Sequence, residues 1–138
     1  MTGPEAEGLG DALAFDGVRA VAGAPDDGQV LVFELSGGAW TESERLEPPG
    51  GALESEFGAS VALSGDLIAV GAEGEDEATG SVFLFRHAEA WALEAQLASP
   101  FTAAGSLFGA SVGLDGEILA VGAPGDEEGL GSVFLYLG

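Results

Sequence analysis

Three acidic clusters hold the residues best equipped for chemistry in this chain: Asp26-Asp27, Glu73-Gly74-Glu75-Asp76-Glu77 and Asp126-Glu127-Glu128. Closely spaced carboxylates are hard oxygen donors, and Ca2+ takes about six to eight such oxygens. On spacing alone, Asp26, Asp27, Glu75, Asp76, Asp126 and Glu127 are weak candidates to hold an ion. Charge runs more often stay solvated. Solvated charge is therefore the favoured reading, with no cofactor, and weak Ca2+ binding stands as the alternative.

Other constellations carry less. Gly109-Ala110-Ser111-Val112-Gly113 matches the G-x-S-x-G pattern, in which a strand-turn-helix bend exposes a serine beside a histidine base. Ser111 sits in an apolar stretch with no helix pattern after it, and His87 is the one histidine. The match is read as coincidence, and His87 as a surface residue. Trp40 and Trp91 could stack on a sugar or anchor a partner, but their matched places in successive units point to packing at a rim. No spacing singles out a carboxylate pair suited to glycoside hydrolysis. No catalytic residue is assigned.

The clusters recur because the whole chain recurs. Phe57-Gly58-Ala59-Ser60-Val61 returns 51 residues later as Phe108-Gly109-Ala110-Ser111-Val112, and Leu9-Gly10 holds the corresponding place in a first copy. Fourteen residues beyond each pair stand Gly23-Ala24-Pro25, Gly71-Ala72-Glu73 and Gly122-Ala123-Pro124. Gly28, Gly80 and Gly131 then open apolar runs ending at Phe33, Phe85 and Tyr136. Copies of one supersecondary unit stack on their neighbours. A repeated position is accordingly more often structural than catalytic.

Each unit reads as four short strands, in the second copy near 61–63, 67–70, 82–85 and 91–97. Asp16-Gly17, Gly65-Asp66 and Asp115-Gly116 mark tight hairpins, since Gly supplies the positive φ that such turns need. The middle strands are apolar on both faces, which predicts cover on both sides. The fourth strand alternates, placing Trp91, Leu93, Ala95 and Leu97 on one face and Ala92, Glu94 and Gln96 on the other. No long 3.6-residue apolar period calls for a substantial helix. Small residues crowd the first two strands, as they would in sheets radiating from an axis. The expected fold class is all-β, a β-propeller with blades of four antiparallel strands.

The Phe-Gly and Gly-Ala-Pro pairs resemble FG-GAP repeats, the units of integrin α-type propellers and of many bacterial surface proteins. The resemblance runs from about Gly8 to Gly138, with Leu9 in place of Phe and Glu73 in place of Pro as departures. Residues 1–8 read as an N-terminal extension and 9–138 as propeller repeats, with blades near 9–49, 57–100 and 108–138. The family's calcium loop lies between the first two strands; here that link has shrunk to Ser64-Gly65-Asp66, too short to wrap an ion. The resemblance implies a non-catalytic binding or structural module for protein or surface recognition, extracellular or at the cell surface. A carbohydrate-active or enzyme-accessory propeller is the alternative.

Composition narrows the partners. The 138 residues carry a formal charge of −21, with three Lys+Arg and no Cys. So strong a negative charge repels nucleic acid and disfavours an anionic membrane surface. No apolar stretch reaches the roughly 18 residues needed to span a bilayer, and Met1-Thr2-Gly3-Pro4-Glu5 lacks the features of a signal peptide.

The count of units is short: two complete and most of a third. Three blades cannot close a ring, and both end units resemble the middle one, although terminal repeats normally carry polar caps. Two chains would supply six blades, within the usual four to eight, and three would supply nine. A homodimer is therefore the expected partner arrangement, the competing explanation being a piece of a longer array.

Overall fold

Hairpins form where Asp-Gly or Gly-Asp punctuates two apolar runs, and they build three antiparallel sheets in the computed structural model, which describes residues 9–49, 56–74, 80–98 and 105–137. The first sheet holds β1 (Ala12–Phe15), β2 (Arg19–Ala24), β3 (Gln29–Ser36) and β4 (Ala39–Leu46). The second holds β5 (Ser60–Ser64), β6 (Leu67–Ala72), β7 (Ser81–His87) and β8 (Trp91–Ala98). The third holds β9 (Ser111–Asp115), β10 (Ile118–Ala123) and β11 (Ser132–Leu137). Strands lie side by side in chain order. A 3-10 turn (Pro25–Asp27) and a single helical turn, α1 (Asp126–Gly129), link the second and third strands of the outer sheets. The extension 1–8 falls outside the described residues.

The first hairpin shows how a local sequence sets a turn. Gly17 takes φ +95, while the Asp16 carboxylate accepts the N–H groups of Val18 and Arg19 at 2.9 and 2.8 Å. Slight burial opposes ionisation of Asp16, but the N–H donors of Arg19 and Val18, with the Arg19 charge, hold its carboxyl below the usual range. A depressed carboxylate supports the fold above its unfolded pKa, and that support is lost as pH falls through the folded value.

The sheets then stack. β5 packs on β1 and β2, and β9 packs on β5 and β6, so the innermost strands of successive sheets are neighbours. Two apolar layers fill the gaps. Val21, Val30 and Val32 meet Phe57, Ile68 and Phe83 between the first and second sheets. Ala62, Ala69 and Val82 meet Phe108, Leu119 and Val121 between the second and third. β6 is buried along its whole length, as cover on both sides requires. β10 and β11 are covered on one side, as an open array of three units implies: Ile118, Val133, Leu135 and Leu137 are exposed, because among the described residues no sheet lies beyond the third.

The fourth strand also departs from simple alternation. Phe85 pairs with Leu93 and Leu84 with Ala95, so Glu94 is an extra, bulged residue. A bulge moves the following side chains to the other face. Trp91 consequently packs toward the first sheet and Leu97 toward the third. The first sheet repeats the device between Val32 and Phe33, with Trp40 and Leu46 on opposite sides.

Candidate functional site

The repeated Phe-Gly and Gly-Ala pairs meet twice, once within a sheet and once between sheets. Within each sheet the N–H of Gly10, Gly58 and Gly109 donates to the carbonyl oxygen of Gly23, Gly71 and Gly122, at 3.0, 3.1 and 3.0 Å. These bonds tie the entry of the first strand to the exit of the second and account for the constant spacing of the two motifs. Glu56 and Leu107 adopt φ +57 and +58 just before the pairs, and the N–H groups of Ala59 and Ala110 close the turns onto their carbonyls at 3.0 Å each. Left-handed backbone is uncommon in non-glycine residues. Its recurrence at matched positions marks a constrained loop.

Between sheets, the carbonyl of Gly58 lies over Gly23, and that of Gly109 lies over Gly71. The approach is so close that a Cβ on either seat would overlap the oxygen. The Ser60 hydroxyl donates to the Gly109 carbonyl at 2.7 Å in a buried setting. Gly80 forms an isolated parallel bridge with Phe108. The phenylalanines are fully buried: Phe57 meets Phe83 edge-on with ring centres 5.3 Å apart, and Phe108 meets Phe134 at 5.4 Å. At the surface of each joint one arginine reaches the next hairpin. Arg19 Nη1 lies 3.3 Å from Asp66, and Arg86 Nη2 lies 2.9 Å from Glu117.

The acidic residues lie apart from these joints. Asp26 and Asp27 occupy the 3-10 turn, Asp26 exposed and Asp27 partly buried. Asp126 and Glu127 open α1; Glu127 is exposed, whereas Asp126 is buried, with no hydrogen-bond partner for Oδ2 among the described residues. Solvated charge thus describes Asp26 and Glu127 but not Asp126, which the tight turn closed by the Gly131 N–H on the Asp126 carbonyl carries inward. Glu75 and Asp76 lie outside the described residues. Among the described residues no three acidic or histidine side chains gather as a group able to hold a metal ion.

Ser111 opens strand β9, with no helix after it, so the nucleophile-elbow geometry is missing. His87 ends β7 and lies tilted against Trp91 at 5.0 Å, on a ring that Arg19 also approaches, its Cζ 5.3 Å from the centroid. Trp91 is buried and its backbone N–H donates to the Glu44 carboxylate at 3.2 Å, across the joint between the first two sheets. Trp40 packs on Phe15 at 5.5 Å. The sequence marks Gly23, Gly71 and Gly122 as repeat positions in strands rich in small residues, but not that they seat a neighbouring carbonyl, and it gives no sign of the two arginine bridges.

Glu73 stands where the other units have Pro25 and Pro124. Burial, together with the charge of Glu56, pushes its carboxyl up. A raised acid favours the fold while protonated; that contribution is full below its unfolded pKa and is lost as pH rises through the folded value. Glu73→Pro is expected to abolish this acid-side gain and to raise the unfolding free energy at pH 7 by about 0.5–1 kcal/mol. Melts of both proteins between pH 4 and 7 would show it, and a less stable variant at pH 7 would count against the argument.

Three stacked antiparallel sheets joined by repeated Phe-Gly contacts define propeller blades. The FG-GAP repeat profile matches residues 40–85 and 91–136, and the chain belongs to the FG-GAP repeat family. Each matched stretch begins in the outer strand of one sheet and ends in the third strand of the next. No curated protein matches the chain. Repeats of this family are typically non-catalytic and often extracellular. Among the described residues no helix is long and apolar enough to cross a membrane.

Proposed function

We propose that the chain is a non-catalytic structural and recognition module of integrin-like propeller type, which assembles with a second copy and presents its loops to a protein or surface partner outside the cell. One observation carries this reading: the most closely built and most often repeated feature is the joint between sheets, a device for stacking, and the sheets at both ends keep apolar residues in water. Leu13 and Phe15 at one end and Leu135 and Leu137 at the other are all more than 60% exposed. Exposed apolar faces of this kind mark association surfaces. Sedimentation equilibrium is expected to give twice the 13.7 kDa chain mass. A well-folded monomer at all accessible concentrations would defeat the assembly part of the proposal.

The acidic loops belong to the same reading as charged recognition surface rather than as an ion site. Calorimetric titration with Ca2+ is expected to show no binding heat, and the melting temperature is expected not to move. Stoichiometric heat that disappears in Asp126→Asn would overturn that assignment.

A further inference from the structure

The two end faces of the array carry the equivalents of the two sides of an inner joint. Between the second and third sheets, Gly71, Gly80 and Ser60 receive Phe108-Gly109. Their counterparts in the third sheet are Gly122, Gly131 and Ser111. Among the described residues, the atoms nearest a Cβ on Gly122 belong to Ser111, and those nearest one on Gly131 to Pro124 and Ala123 of the same sheet. A shallow hollow of about 440 Å³ lies there, bordered by Ser111, Gly122 and Val133. Val133 is 73% exposed, whereas Val82, its equivalent in the second sheet, is fully buried.

The opposite end carries the matching half. Gly10 has φ +96, close to the +101 of Gly58 and +95 of Gly109, and makes the same bond within its own sheet. Gly58 and Gly109 abut the backbone of the preceding sheet, yet among the described residues Gly10 has no atom within 4 Å of a Cβ position. The backbone that enters a seat is already formed, without a seat to enter.

The surface positions of the joint differ between the inner and the open joints. At the two joints inside the chain, Arg19 meets Asp66 and Arg86 meets Glu117. The first-sheet equivalent of Asp66 and Glu117 is Val18, whose carbonyl accepts the Leu35 N–H as that of Asp66 accepts the His87 N–H. The third-sheet equivalents of Arg19 and Arg86 are Ile118 and Leu137, which pair with each other across β10 and β11. Both sides of the open joint have therefore exchanged charge for hydrocarbon, and all three residues are exposed: Val18 61%, Ile118 48% and Leu137 83%. A unit with the usual acidic hairpin would bury an uncompensated carboxylate against Ile118 and Leu137, which is unfavourable. The first sheet of this chain brings Val18 instead.

From this complementarity, which rests on the assembly reading above, we infer that the third sheet docks the first sheet of a second copy head to tail. Leu9-Gly10 of that copy sits in the notch formed by Ser111, Gly122 and Gly131, and its Val18 covers Ile118 and Leu137. Two such joints, related by a two-fold axis, bring six sheets into one ring.

Sedimentation equilibrium of the full chain and three variants tests the joint, with circular dichroism melts confirming that each is folded. Gly122→Ala requires only the Ser111 hydroxyl to turn in the free chain, but its methyl meets the incoming carbonyl. Its dimer dissociation constant is expected to rise by at least about tenfold. Val18→Asp is expected to weaken the dimer by a similar factor, because it sets an unpaired carboxylate against Ile118 and Leu137. Val18→Asp combined with Leu137→Arg recreates the Glu117–Arg86 arrangement, and its dissociation constant should return to within about threefold of wild type. Wild-type dimers that keep their affinity in Gly122→Ala and Val18→Asp overturn this joint while leaving assembly through another face. A folded wild-type monomer overturns the joint and the assembly reading together.

Discussion

Gly71→Ala is expected to destabilise the folded chain by about 3 kcal/mol, the upper end of the usual cost of overpacking. The seat has no slack, because the added methyl would overlap both the Gly109 carbonyl oxygen and Ser60 Oγ. The hydroxyl can turn, at the loss of its 2.7 Å bond to that carbonyl. The carbonyl cannot turn, since the same glycine's N–H is bonded to Gly122 and its backbone rests against Ser81 and Ala72. Relief therefore requires the second and third sheets to separate and open the apolar layer between them. Gly122→Ala makes the internal control, because its methyl meets only Ser111 and should leave the isolated chain nearly unaffected. Urea unfolding of the two variants at one protein concentration, low enough to keep both monomeric, compares them directly. Equal stabilities would show that the carbonyl seat has no energetic role.

Phe57→Ala should cost a comparable or larger amount, about 3–5 kcal/mol. The ring is fully buried between the first two sheets, edge-on to Phe83 and 6.1 Å from Phe85. Its removal leaves a cavity between two sheets held together by the same left-handed turn that presents the ring, so collapse around it is restricted. Phe57→Leu should cost less than half as much, because most of the volume is retained. Leu9 fills the corresponding place in the first unit, packed against Ala20, Ala22, Leu31 and Phe33. A loss below about 1 kcal/mol for the alanine variant would mean that the ring is not part of the cooperative core.

Much of this architecture is legible in the chain because the repeat samples the same physics three times. The Asp16-Gly17 and Asp115-Gly116 turns, the buried run of β6 and the three-stranded third sheet all follow from periodicity and turn chemistry. The seat glycines were harder to interpret for a definite reason. Gly71 and Gly122 are needed for space rather than for a left-handed torsion, and a sequence shows only that glycine recurs, not which of its two uses applies. The bulge at Glu94 inserts one residue without any turn signal, and so the alternation of β8 looks unbroken on paper. The bridges from Arg19 to Asp66 and from Arg86 to Glu117 start from different strands, which hides their equivalence until the sheets are stacked. For the acidic loops, position was readable but convergence was not, because side-chain direction in a short turn depends on backbone angles that composition does not encode. Asp126, buried in α1, shows the difference.

The stagger between the matched stretches and the sheets bears on how such chains can change length. Each stretch takes its outer strand from one sheet and its inner strands from the next, so the matched repeat is one strand out of step with the folded sheet. Tandem duplication of a segment such as 40–90 would add a sheet and a complete joint together, and both terminal faces would stay as they are. The number of sheets in a chain then becomes a matter of copy number, open to gain or loss by recombination without a new contact having to evolve.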